Sequence, residues 1–124
     1  MNGNRILADT NIIIYLLNGN NSLSELLENK RVYLSFITEI ELFSSKSLNN
    51  TEIKLINSLL EQCIIVDVNS IIKQEAIYFR KKYNLKIPDA LIASAAKYHN
   101  IPIITSDSAF KKISEINIFY YEVS

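Results

Sequence analysis

Four acids occupy places where a chain of 124 residues could concentrate negative charge. Asp9 directly follows the apolar run Arg5-Ile6-Leu7-Ala8, and Asp107 follows Ile104-Thr105-Ser106. Glu41 lies three residues after Thr38, and Asp89 sits in Ile87-Pro88-Asp89-Ala90-Leu91-Ile92-Ala93. A donor set made only of carboxylate oxygens, with no His or Cys beside it, suits Mg2+ or Mn2+ better than zinc. Such an ion keeps open positions that a phosphate ester fills. The chemistry implied is metal-assisted phosphodiester hydrolysis, with an activated water as nucleophile and the leaving oxygen stabilised.

Each acid taken alone has a purely structural reading. Asp9 and Asp107 could cap the helices that follow them. Thr38 and Glu41 have the spacing of a capping box, with Glu41 reaching back from the third helical position. Asp89 in a first turn is favoured by the helix dipole. Whether they are caps or a site depends on where the elements bring them.

Those elements alternate. Arg5–Ala8 reads as a buried strand, and the apolar stretch 12–17 as the helix behind it. Asn18-Gly19-Asn20-Asn21 is a turn, and Leu23, Leu26 and Leu27 mark a second helix ending near Lys30. Strands follow at 32–35, 63–68, 101–104 and 118–121. Helices are expected at 38–45, from a cap at Asn50-Thr51, from an Asn69 cap to about Tyr83, at 88–98 and at 108–113. The helix from Pro88 has almost no polar side, so it must be buried nearly all round. Strands alternating with helices predict an α/β fold with a doubly wound parallel sheet. In such a sheet the strand ends after Ala8 and Ile104 share one edge, and the helices carrying Glu41 and Asp89 enter from it. Four converging carboxylates repel strongly in a low-dielectric cleft unless a cation intervenes.

Composition sets limits. The 13 basic and 13 acidic residues cancel, so net charge carries no nucleic-acid signal; removing four metal-bound acids would leave 13 against 9. One cysteine, Cys63, excludes an internal disulfide and reads as a buried structural thiol. No apolar run approaches the ~18 residues of a membrane span, and the start of the chain lacks a signal-peptide pattern. A soluble, cytoplasmic protein with no membrane association is expected.

The segments 7–11, 35–38 with Glu41-Leu42, 87–93 and 104–107 resemble the four motifs of PIN domains. Their order and spacing are similar to the compact VapC-type toxins of prokaryotic toxin–antitoxin pairs, over essentially the whole chain, 1–124. The resemblance implies a PIN-like three-layer α/β/α fold with a five-stranded parallel sheet in order 3-2-1-4-5. It implies a Mg2+- or Mn2+-dependent endoribonuclease, commonly a homodimer silenced by a cognate antitoxin, with RNA as substrate. Carried onto this chain, Asp9, Asp89 and Asp107 would hold metal, and Glu41 would act directly or through water. Thr105 would orient the site, and Asn11 would support Asp9. Many relatives place a further acid before the Phe of the last motif; Ala109 stands there instead, which favours a single ion.

Lys82, Lys86 and Lys111 are candidates for RNA phosphates. His99 at a helix end is expected to be exposed, and Asp67 after the third strand to be a cap or turn residue. Three other classes compete: a PIN-like nuclease of RNA maturation that is not a toxin, a non-catalytic RNA- or protein-binding module, and a receiver domain phosphorylated on Asp67. The receiver chemistry needs two adjacent acids after the first strand, whereas Thr10 follows Asp9.

Overall fold

Arg5–Ala8 forms β1, and its alternation decides the layering of the whole molecule. Leu7 points into one apolar cluster and Ile6 and Ala8 into another, as the two-residue period of a strand requires. Both faces are therefore covered, which is the environment of a parallel sheet. The computed structural model describes residues 4–123; the expected domain limits of 1 and 124 lie outside the described residues.

Along the chain β1 is followed by α1 (Thr10–Leu17), α2 (Asn21–Leu27), β2 (Arg31–Ser35), α3 (Phe36–Phe43) and α4 (Asn50–Glu61). Then come β3 (Ile64–Val66), α5 (Ser70–Tyr83), α6 (Ile87–His99), β4 (Ile103–Thr105), a 3-10 turn (Ser108–Lys112) and β5 (Ile118–Tyr120). The five strands are parallel in the order β3-β2-β1-β4-β5, the arrangement the resemblance implies. Leu7 stands in register with Tyr33 on one side and Ile103 on the other. A receiver domain has the order 2-1-3-4-5, so this topology removes that alternative. Among the described residues no helix is long and apolar enough to cross a membrane.

The core beneath β1's Leu7 face is built by α5 and α6, with Ile72, Ala76, Phe79, Ile92 and Ala93 buried. The opposite face carries Ile12, Ile13, Leu23, Leu42 and Ile56 from α1 to α4. Two boundaries differ from the sequence reading in an instructive way. Ser35 Oγ accepts from the Ile37 N–H, so α3 starts at Phe36 and not at Thr38. The capping box expected at Thr38 and Glu41 occurs instead at Asn49 and Glu52, where both reciprocal bonds are made. The third strand is also shorter than expected, Ile64–Val66 in place of 63–68.

Helix α6 confirms the demand for burial: Ala90, Ile92, Ala93, Ser94, Ala95 and Ala96 are all buried. Its one interior hydroxyl, on Ser94, donates to the Ala90 carbonyl at 2.6 Å, so no polar group is stranded. Small side chains set how closely this helix approaches the sheet. Ala93→Leu should therefore overpack the interface and cost about 1–3 kcal/mol. Urea unfolding would read this as a lower midpoint at unchanged m.

Candidate active site

Asp9 terminates the central strand, and the chain turns into α1 at once, leaving the side chain only 5% exposed. Its Oδ1 accepts from the Thr10 N–H at 2.8 Å, which makes it the helix cap. Its Oδ2 accepts from Thr105 Oγ1 at 2.8 Å. Thr105 ends β4, the neighbouring strand, and is fully buried. Its hydroxyl oxygen in turn accepts from the Asp107 N–H at 3.0 Å. Asp107 caps the 3-10 turn by accepting from the Ala109 N–H. The cap reading and the site reading therefore hold together, because a carboxylate that caps with one oxygen keeps lone pairs on both.

Glu41 sits in the second turn of α3 and does not reach back to a cap. Its Oε1 accepts from Thr10 Oγ1 at 2.6 Å, and the Thr10 oxygen lies 2.9 Å from Thr38 Oγ1. Thr38 is fully buried. Sequence reasoning passed over both threonines as site residues. The spacing of Thr38 and Glu41 puts them on one helix face, but nothing local signals a partner 28 residues away.

Asp89 enters from the first turn of α6, where Lys86 occupies the cap position without a side-chain cap bond. Asp9, Glu41, Asp89 and Asp107 line one cavity of about 250 Å³ with Thr10, Asn11, Ile14 and Ile92. A larger cavity, about 480 Å³, is walled by Ile13, Leu27, Glu25 and Cys63 and gathers no such acid set. Asn11 is exposed; among the described residues the hydrogen bonds to the Asp9 carboxylate come from Thr10 and Thr105 instead.

Electrostatics register the convergence. Burial pushes the Asp9 carboxyl above the usual carboxylate range; its bonds to Thr105 and Thr10 oppose this, and the charges of Asp107 and Glu41 add to it. Asp89 is pushed up to about 6 by burial, then by Asp9, Asp107 and Glu41, with Lys86 pulling the other way. Among the described residues no three acid, His or Cys side chains are drawn into a preformed metal cage. The four acids face one cavity, and two of them, Asp9 and Asp107, are also held as caps. The donor set nevertheless fits a hard cation. It is all oxygen, and the cavity has room for several waters of about 30 Å³ each, which Mg2+ retains.

The cationic candidates separate. Lys86 is exposed and close enough to stabilise the Asp89 carboxylate. Lys111 Nζ lies 3.8 Å above the Tyr120 ring centre. Lys82 is held elsewhere, 3.0 Å from Glu115 Oε2 and between the rings of Tyr78 and Tyr83, so its charge is already paired. His99 closes the far end of α6, ten residues and about 15 Å of helix from Asp89. It is half-buried against Tyr33 and Tyr98, not exposed as expected, and burial followed by Arg5 lowers its pKa. Asp67 is exposed beyond β3, an edge strand, and does not line the acid cavity. Half-burial pushes the Cys63 thiol up to about 11, an inert group.

A three-layer α/β/α fold with four carboxylates facing one cavity beside its central strands defines a class of proteins. Within that class the chain belongs to the PIN domain family, whose model matches residues 6–116. It is similar in structure to a toxin–antitoxin complex from Klebsiella pneumoniae, with 28% identity, a TM-score of 0.83, and 95% of this chain and 99% of that one covered. It is similar also to VapBC-1 from nontypeable Haemophilus influenzae, at 29% identity and a TM-score of 0.73 over 94% and 97% of the two chains. VapBC2 from Rickettsia felis, bound to a DNA fragment from its promoter, shares the fold at 22% identity and a TM-score of 0.79, over 95% and 99%. No curated protein matches the chain.

The raised Asp89 pKa makes stability without metal depend on pH in a definite direction. The protonated form is favoured by folding, so this contribution is complete below 3.8 and is lost as pH rises through about 6. In EDTA, Asp89→Asn should exceed wild type at pH ~7.5 by roughly 1–3 kcal/mol, discounted for partial solvation, and the gap should close near pH ~4. Thermal melts of both proteins across that range check it; a gap independent of pH would show that repulsion is not the cause.

Proposed function

We propose that the protein is a Mg2+- or Mn2+-dependent endoribonuclease, the toxin of a type II toxin–antitoxin pair. In this reading residues 1–124 form one PIN domain that acts in the cytoplasm as a homodimer and is silenced by a cognate antitoxin. The observation that carries it is the meeting of Asp9, Glu41, Asp89 and Asp107 at one cavity, where burial and the neighbouring carboxylates raise the pKa of Asp9 and Asp89. The likeness to the Klebsiella toxin–antitoxin complex along nearly both whole chains supports the toxin assignment.

Asp9, Asp89 and Asp107 would hold the ion. Bound there, a divalent cation supplies Lewis-acid stabilisation of phosphoryl charge and makes water a competent nucleophile. The residues of the chain do the rest. Thr10 and Thr105 fix the Asp9 carboxylate before any ligand arrives, so no reorganisation is needed at the moment of binding. Asp89 would hold the ion only in its ionised form, so metal affinity should rise with pH through about 6. Glu41 has one oxygen taken by Thr10; the other has no protein donor among the described residues and accepts a proton from water beside the phosphodiester. Lys86 and Lys111 would meet RNA phosphates flanking the cut; Lys82, paired to Glu115, is left out of this set.

Calorimetry with Mn2+ should show binding that Asp89→Asn and Asp9→Asn abolish, and the same variants should lose RNA cleavage. Thr105→Val should retain the fold and lose about 10- to 100-fold in rate. Unchanged Mn2+ binding in both Asp variants would return the acids to the role of caps. Expression of the chain alone should arrest growth, relieved by coexpressing the small reading frame beside its gene. Cleavage without arrest would instead favour an RNA-maturation nuclease.

A further inference from the structure

Thr10 bonds both Asp9 and Glu41, and Thr38, which has no part in the scheme above, bonds Thr10. The Thr10 N–H donates to Asp9 Oδ1 at 2.8 Å, and the Thr10 hydroxyl donates to Glu41 Oε1 at 2.6 Å. One residue therefore holds an oxygen of each carboxylate. Thr10 can do this because it is the first residue of α1, where the backbone N–H has no partner within the helix. A hydroxyl has a single proton. That of Thr10 is given to Glu41, so across the 2.9 Å contact Thr38 must be the donor to Thr10. Donation runs from the fully buried Thr38 outward, through Thr10, to the exposed Glu41. Thr38 and Glu41 lie three apart on α3, so one face of that helix both gives to Thr10 and receives from it.

The geometry points to Thr10 and Thr38 as positioning residues, a directed pair of hydroxyls that sets the rotamer of Glu41 and its spacing from Asp9. The charges of Asp9, Asp89 and Asp107 would otherwise drive this exposed, flexible side chain toward solvent. The donors are neutral, and that matters. A Lys or Arg in their place would hold Glu41 equally well but would cancel the charge that attracts a cation. Two hydroxyls fix the carboxylate without adding a positive charge to the site. The catalytic consequence rests on the nuclease reading, whereas the positioning itself does not.

The test uses Thr10→Val, Thr10→Ser and Thr38→Val in the full chain, each checked by thermal unfolding. Without metal, side-chain NMR couplings of Glu41 should report one rotamer in wild type and Thr10→Ser, and averaging in Thr10→Val. With Mn2+ and RNA, Thr10→Val should lower kcat about 10- to 100-fold. Its KM should stay within about twofold, because the bond acts on the chemical step. Thr10→Ser should recover most of the rate, and Thr38→Val should lose less than Thr10→Val. Wild-type kcat and a single Glu41 rotamer in Thr10→Val would overturn the proposal. So would a Thr10→Ser protein as impaired as Thr10→Val, since the methyl group and not the hydroxyl would then matter. If wild type neither binds Mn2+ nor cleaves RNA, the nuclease reading falls, and the Glu41 rotamers alone still decide for or against positioning.

Discussion

Asp9 is a carboxylate at the tip of the central strand with almost no access to water, and an ionised group in that setting needs donors or a cation. Much of the architecture near it can be understood as meeting that need. One donor is local, the N–H at the start of α1. The other, Thr105, is 96 residues away and reaches Asp9 only because β4 pairs with β1. The same pairing lets the Asp9 N–H donate to the Ile104 carbonyl, so backbone and side chain are anchored to one neighbouring strand. Burial then overcomes these bonds in part, and Asp9 keeps a raised pKa. The donors hold its position without neutralising its charge.

Around that fixed point the site retains an electrostatic tension. Helix α6 can bring Asp89 inward because its alanines pack closely, and α3 brings Glu41 because its cap lies at the end of β2. No Lys or Arg forms an ion pair with any of the four acids among the described residues; the cationic influence on Asp89 is the more distant Lys86. A protein selected for stability alone would place a cation of its own there. Leaving the acids unpaired, at some cost in stability, is the pattern expected where function needs the charge.

Position in the sheet also explains which acids and bases stand apart. Asp67 follows a strand just as Asp9 does, but its strand is at the edge, and the cavity forms beside the central pair. His99 shares α6 with Asp89 yet closes the opposite end of that helix, packed on Tyr33. Lys82 and Lys86 are four residues apart, but the break between α5 and α6 sends one to Glu115 and leaves the other by Asp89.

The alternation of apolar runs with helical periods, the burial of α6 and the placement of Asp9 and Asp107 at strand ends were legible in the residues themselves, because they are local patterns. So was the oxygen-only donor set. The start of α3 was not, since Ser35 and Thr38 are equally good caps and only the end of β2 favours Ser35. The roles of Thr10 and Thr38 were hidden for a different reason: a hydroxyl declares nothing until its partner is known, and theirs comes from another helix. The choice between caps and site was likewise beyond any single segment. Which carboxylates exist, and which elements carry them, is written in the order of residues. That they meet is a property of the folded chain, because the strand order that places β1 beside β4, and the packing of α3 and α6 against them, arises from contacts far apart in sequence.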